Sequence, residues 1–201
     1  KFLKLLLSVY KLETLEVSGT PEDIGFAIGQ ADADSIQKQV LQLAEFRETE
    51  RTWQDSSYLQ ELLTAARYFF PEYVLELEGM ARGTQVEYET LLVWNCRGDL
   101  PLSDDAIPES AKHSPEGCTT LLYPAAKSSV AVIAHNEDGP PELDGHCCWL
   151  SVRQENGSKF STFHYPGMLP GHTLSVNSHG LVQTINNIRV DDLQSGIPHW
   201  C

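Results

Sequence analysis

Basic residues are scarce in this 201-residue chain, where 14 Lys and Arg stand against 28 Asp and Glu for a formal net charge of −14. Nucleic acids and anionic membrane surfaces reward clustered Lys and Arg, so neither is an expected partner. Long apolar runs are missing too. No segment approaches the roughly 20 apolar residues that cross a bilayer. The stretch Phe2–Leu7 resembles a signal core, but Lys4 interrupts it and no small-residue cleavage site follows, so it reads as an ordinary strand. CxxC and HxxxH pairs are absent, which removes the usual zinc spacings. The five cysteines are odd in number and irregularly spaced; this argues against a disulfide framework and for a reducing, cytoplasmic location. The chain begins without Met and stops just after Gly196-Ile197-Pro198, so both ends read as cut from something longer.

What remains is an ordinary globular composition, 41% hydrophobic and 21% charged. Leu3 to Val17 reads as one or two strands. Thr20-Pro21-Glu22-Asp23 then supplies an N-cap, a first-turn proline and an acidic third residue, which start a helix. Its apolar stripe runs through Ile24, Ala27, Ile28, Ala31, Ile36, Val40 and Leu43. Gly25 and Gly29 lie four apart on one face and would let another element approach closely; this is packing, not a phosphate loop. Further helices are expected from Asp55 to Phe70, from Pro71 to Gly83 and from Tyr88 to Trp94. Tyr68, Phe69, Phe70 and Tyr73, at helical spacing, read as core. From Pro101 to Glu116 prolines and turn formers mark a surface linker. After Cys118 come strand-like runs at 119–123, 130–135, 148–154, 160–165, 172–176 and 181–185. Asn156-Gly157 signals a type I′ hairpin and hence an antiparallel meander. The expected class is α+β: a mostly helical segment over 1–117, then an antiparallel β-rich segment over 118–201.

The junction between them, Glu116-Gly117-Cys118-Thr119-Thr120, carries the chemistry. A cysteine preceded by an unhindered glycine could cut its own chain, leaving Cys118 as a new amino terminus. The freed α-amine, with a pKa of about 7.7–8.0, would take the thiol proton itself. The alternative is one more buried thiol. In the turn His135-Asn136-Glu137-Asp138-Gly139, Asp138 can hold the amine and Asn136 can hydrogen-bond an intermediate, unless both merely form an Asx turn. Asn186 and Asn187 interrupt an apolar run, and a buried amide there could serve as an oxyanion donor. A metal site built on His146-Cys147-Cys148 with His135 and Asp138 is the rival chemistry. Adjacent strand residues point to opposite faces, so no metal is expected, and no cofactor.

With these motifs in their order and spacing, the chain resembles the isopenicillin N acyltransferase family, from about residue 14 onward. Gly117-Cys118-Thr119-Thr120 with Asn136-Glu137-Asp138 is the specific part. The resemblance implies a cysteine N-terminal nucleophile amidohydrolase or acyltransferase with an αββα sandwich. It would be made as a precursor that cleaves itself between Gly117 and Cys118 into fragments that stay associated, and it would act on a small acylated amine or an acyl thioester. It further implies Cys118 as nucleophile, Asp138 as catalytic aspartate and Asn186 as oxyanion donor, with Asn187 as fallback. Related bile-salt hydrolases carry an arginine where this chain has His135, so that role does not transfer. The family's second catalytic asparagine and an arginine would fall beyond Cys201. A β-alanyl-amine hydrolase shares the pattern, and a processing-dead, ligand-binding relative is the alternative outside enzymes.

Overall fold

A computed structural model describes residues 12–100, 118–125, 130–186 and 194–201. The expected Leu3–Lys11 strand, the linker up to Gly117, and Asn187 lie outside them. Strand β1 spans Glu13–Gly19, and helix α1 follows at Pro21–Lys38. The α1 start is a capping box: the Thr20 side chain accepts from the Asp23 backbone N–H, and the Asp23 carboxylate accepts from the Thr20 N–H. A short 3₁₀ turn at Val40–Gln42 leads to α2, Ala44–Trp53. This helix was not expected, because its run Glu45, Glu48, Glu50 and Arg51 is almost all polar and only Phe46 is buried. Then come α3, Ser57–Phe69, capped by the Ser56 side chain; α4, Pro71–Thr84; and α5, Tyr88–Cys96.

The centre of the helical layer is the contact between α1 and α4. Added Cβ atoms would overlap the Glu76 carbonyl oxygen at Gly25, the Met80 oxygen at Gly29, the Glu22 oxygen at Gly79 and the Phe26 oxygen at Gly83. Rising numbers on one helix meet rising numbers on the other, so the helices run parallel with backbone against backbone. The packing expected of Gly25 and Gly29 is what they do. Gly83, expected to end its helix, lies inside α4 as part of the same contact; the helix closes one residue later, with Gln85 in the left-handed region at φ 58°.

The second layer is a five-stranded sheet, ordered β1-β4-β5-β6-β7, with β4 at Cys148–Gln154, β5 at Lys159–His164, β6 at Ser175–Asn177 and β7 at Val182–Gln183. Strands β4 to β7 form the expected antiparallel meander, whereas Thr119–Tyr123 and Val132–Asn136 pair in a separate two-stranded sheet, and β1 joins β4 in parallel, Glu13 beside Cys148 through Gly19 beside Gln154. The sheet is therefore mixed, because a strand from the helical half closes its edge. Val17, Leu150 and Val152 share one core with Ile24, Ile28, Leu77 and Met80. The α+β class holds. The β4–β5 turn is not type I′: Gly157 has φ 91° while Asn156 stays at negative φ, and the Gly157 N–H bonds back to the Gln154 carbonyl. This is the three-residue loop closed by a left-handed glycine.

Two other expectations change. Ala31 is exposed and its neighbour Asp32 is buried instead, where it receives the His164 Nε2 at 2.8 Å and the Gly167 N–H at 2.9 Å. Tyr68 and Phe69 are not core: they are 79% and 56% exposed and meet edge to face at 4.8 Å, while Tyr73 packs inward. Among the described residues no helix is long and apolar enough to cross a membrane.

Two outcomes follow from the α1–α4 contact. Gly25→Ala and Gly79→Ala each force the backbones apart. Overpacking of this kind costs about 1–3 kcal/mol, of which helix propensity returns at most about 1. Urea unfolding should show both losses, with the double variant losing less than their sum because one separation serves both; strict additivity would mean that the sites do not share a contact. Glu76, buried on α4 with Oε1 unpartnered, is pushed by burial from 4.5 up to about 8. The folded chain thus holds a proton that the unfolded chain releases. That contribution is complete below about 4.5 and is lost as pH rises through about 8. Melting temperatures of wild type should therefore fall relative to Glu76→Gln across this window; parallel curves would refute it.

Candidate active site

Cys118 stands at the start of a two-stranded hairpin, β2 at Thr119–Tyr123 paired antiparallel with β3 at Val132–Asn136. The register sets Thr119 opposite Asn136 and Thr120 opposite His135, so its continuation sets Cys118 opposite Glu137. Opposed residues share a face and neighbours alternate. Cys118, Thr120, His135 and Glu137 therefore fall on one face, and Asn136 and Asp138 on the other.

Side-chain contacts follow that division. The Cys118 thiol donates to Glu137 Oε2 at 3.5 Å, and His135 Nε2 lies 3.1 Å from the same oxygen. His135 Nδ1 is 3.0 Å from Thr120 Oγ1. Asn136 Nδ2 donates to the Asp138 carboxylate at 2.6 Å. Asp138 reaches the sulfur's side through its backbone, whose N–H bonds the Cys118 sulfur. Asn186, arriving just after β7, donates through Nδ2 to the Cys118 carbonyl oxygen and accepts from Thr120 Oγ1 at 2.7 Å through Oδ1. Thr184 Oγ1 also bonds Thr120, at 3.0 Å. Of the expected residues, Cys118, Asn186 and His135 thus gather at one point, with Asp138 present through its amide. Asn136 is turned away to Asp138. Glu137, named in the turn but given no role there, is the carboxylate that faces the sulfur.

The turn after β3 is held from behind. Gly139 leaves no room for a Cβ against the Tyr165 hydroxyl, so the phenol packs directly on the turn. Tyr165 is fixed in its own turn from the core. Trp94 Nε1 donates to the Pro166 carbonyl at 2.9 Å, Asn95 bonds the Gly167 carbonyl and the Leu169 N–H, and Asp32 takes the Gly167 N–H. Nothing in the local pattern around Tyr165 signals this role. Beside Glu137 opens a cavity of about 480 Å³, lined by Gly139, Pro140, Leu143, Cys147 and Tyr165 among others.

Burial pushes the Cys118 thiol up; the Asp138 backbone N–H draws it down, and the Glu137 charge adds to the rise. All five cysteines are unpaired. Burial drives Cys147 up to about 12 and Cys148 to about 11, and Cys96 and Cys201 each to about 12. Cys118 is the one thiol whose rise a backbone amide opposes.

A family model described as acyl-coenzyme A:6-aminopenicillanic acid acyl-transferase matches residues 125–201, a segment holding Asp138 and Asn186. The chain is also 30% identical over 210 residues to the beta-alanyl-dopamine/carcinine hydrolase of Drosophila melanogaster, a match covering 96% of this chain and 53% of that protein. It thus spans about half the length of the curated relative it matches. Together with the motifs around Cys118 and Asp138, these matches lead to one conclusion: the chain belongs to the acyl-coenzyme A:6-aminopenicillanic acid acyl-transferase family.

Proposed function

We propose that the chain is the nucleophile-bearing part of a self-processing cysteine N-terminal nucleophile enzyme that hydrolyses, or transfers the acyl group of, the linear amide of a small amine. The observation that carries this reading is Cys118 with its sulfur on the Asp138 amide and the Glu137 carboxylate, and with the Asn186 amide at its carbonyl. Residues 1–117 would form the leading fragment and 118–201 the start of the catalytic one, both within an αββα sandwich. The relative named for beta-alanyl-dopamine and carcinine favours a β-alanyl amine as the substrate class.

The chemistry balances with the residues at hand. In the precursor, Cys118 Sγ attacks the Gly117 carbonyl, the peptide C–N bond breaks, and the nitrogen takes the thiol proton, which frees the α-amine; water then hydrolyses the thioester and releases the Gly117 carboxylate and the Cys118 thiol. In turnover that amine takes the thiol proton, the thiolate adds to the substrate carbonyl, and the Asn186 amide stabilises the oxyanion. The proton returns to the departing amine, leaving an acyl thioester for water or a second amine. A preorganised donor of this kind is worth about a hundred- to a thousandfold in rate. The carboxylates that oppose a thiolate before cleavage are the groups that would hold an α-ammonium after it.

Two measurements test this. Full-length protein should resolve by intact mass into two fragments meeting at Gly117-Cys118, while Cys118→Ala stays whole; an uncut wild type identical to the variant would remove the self-processing step. Because the Glu137 charge raises the Cys118 thiol, Glu137→Gln should move the midpoint of iodoacetamide alkylation at Cys118 to lower pH, with faster labelling at neutrality. An unmoved midpoint would place Glu137 away from the sulfur.

A further inference from the structure

The geometry points to a second use of the same face: we infer that Cys118, His135 and Glu137 form a seat for one zinc ion, which replaces the thiol proton and holds the cysteine out of reaction. Binding stands on these side chains alone. Its effect on turnover rests on Cys118 being the nucleophile.

One ligand atom each from Cys118 (Sγ), His135 (a ring nitrogen) and Glu137 (a carboxylate oxygen) lies within 4.8 Å of the other two. Tetrahedral zinc, with bonds of about 2.3 Å to sulfur and about 2.0–2.2 Å to nitrogen and oxygen, sets its ligands about 3.6 Å apart for S and O and about 3.4 Å apart for N and O. The corresponding separations are 3.5 Å and 3.1 Å. Strand parity makes the arrangement possible, since all three residues project from one face of the hairpin. The spacings that argue against a metal at His146-Cys147-Cys148 do not apply here.

The proton inventory of the cluster supplies an independent reason. Asn186 gives its Nδ2 hydrogen to the Cys118 carbonyl, so it presents Oδ1, a pure acceptor, to Thr120. The single hydroxyl proton of Thr120 is committed to that oxygen. His135 Nδ1 must then be the donor in its 3.0 Å contact with Thr120. A neutral ring therefore turns the bare Nε2 lone pair toward the Glu137 carboxylate at 3.1 Å. Two acceptors this close need a cation between them, and a proton or a metal ion can fill that place. The His135 side chain is 2% exposed and that of Glu137 22%, so water is largely kept from the contact. Thr120 also supplies what a ligating histidine needs on its far nitrogen, a fixed partner that orients the ring. On binding, the Cys118 S–H bond breaks, its proton goes to solvent and an S–Zn bond forms. His135 and Glu137 contribute lone pairs, nothing is oxidised or reduced, and the fourth position is left to water.

The test uses full-length protein without a histidine tag, titrated with Zn²⁺ against a chromophoric chelator and separately with Co²⁺. Wild type should bind one equivalent, and the cobalt form should show a thiolate-to-metal charge-transfer band that Cys118→Ala lacks. Glu137→Gln and His135→Ala should each weaken zinc at least tenfold or so, and Thr120→Val about 10- to 100-fold through the lost outer bond. Stoichiometric zinc with no thiolate band, no stoichiometric binding, or equal affinity in Glu137→Gln and His135→Ala would overturn the seat. Should one variant not fold, the other decides. Zinc bound with the thiolate band in a protein that neither cleaves itself nor turns over an amide would keep the seat and remove the nucleophile reading. Turnover in a protein that takes up no zinc would do the reverse.

Discussion

The backbone contact between α1 and α4 is the constraint on which the other placements depend. With Gly25 and Gly29 against Gly79 and Gly83, each helix passes where only a glycine leaves room for the carbonyls of the other. This fixes the height and rotation of α1 over the sheet, and so the position of Asp32 on its inner side. Asp32 takes the Gly167 N–H and His164. Asn95 and Trp94 from α5 hold the same turn from the other side. Tyr165, at the head of that turn, then meets Gly139 and supports the loop that carries Glu137 and Asp138. The path from helix packing to the sulfur is a series of short, directional contacts, each of which tolerates little displacement.

Electrostatically the site is opposed to itself. The chain carries −14 overall, and the groups nearest Cys118 are carboxylates, which disfavour a thiolate. Only the Asp138 amide works the other way. A thiol so placed stays protonated until a positive charge arrives beside it. An α-ammonium and a metal ion are two such charges, and they act in opposite senses: the first makes the sulfur a nucleophile with a local base, the second ties the sulfur down. The same face of the hairpin can thus support both readings without any change of fold.

Much of this was legible in the residues. Thr20-Pro21-Glu22-Asp23 announces the capping box that forms, and Gly25 with Gly29 announces a close approach. The strand runs 119–123 and 148–154 appear with their expected bounds. These are local signals, set by caps and by period. The misses have a different origin. Helix α2 shows no apolar period because it buries only Phe46. Asp32 was displaced from the expected stripe by Ala31, since periodicity ranks apolar residues and does not foresee that a carboxylate will be paired 132 residues away. Tyr68 and Phe69 fit a helical period yet face outward, because spacing does not say which side the protein covers. The parallel pairing of β1 with β4 joins segments 135 residues apart in sequence, a distance over which no turn residue can report.

The site shows the same limit at closer range. Within His135-Asn136-Glu137-Asp138 every residue is polar, so the sequence offers no alternation from which to read inside and outside. The family pattern draws attention to Asn136 and Asp138, yet pairing Thr119 with Asn136 sends their side chains to one face and the Cys118 sulfur to the other. Asp138 still bears on the sulfur, but through its amide, a group that every residue except proline has and no motif records. Its carboxylate meanwhile bonds the Asn136 amide and shapes the turn. A two-residue alternation thus divides the motif in two. The even-numbered pair builds the loop and aims a backbone donor, and the odd-numbered pair, His135 and Glu137, sets the charge around the sulfur. A one-residue slip of the β2–β3 register would exchange these tasks. What holds the register from outside the hairpin is Thr120, tied to Thr184 and Asn186. The hydroxyl two residues after the cysteine therefore decides which carboxylate the Cys118 thiol meets.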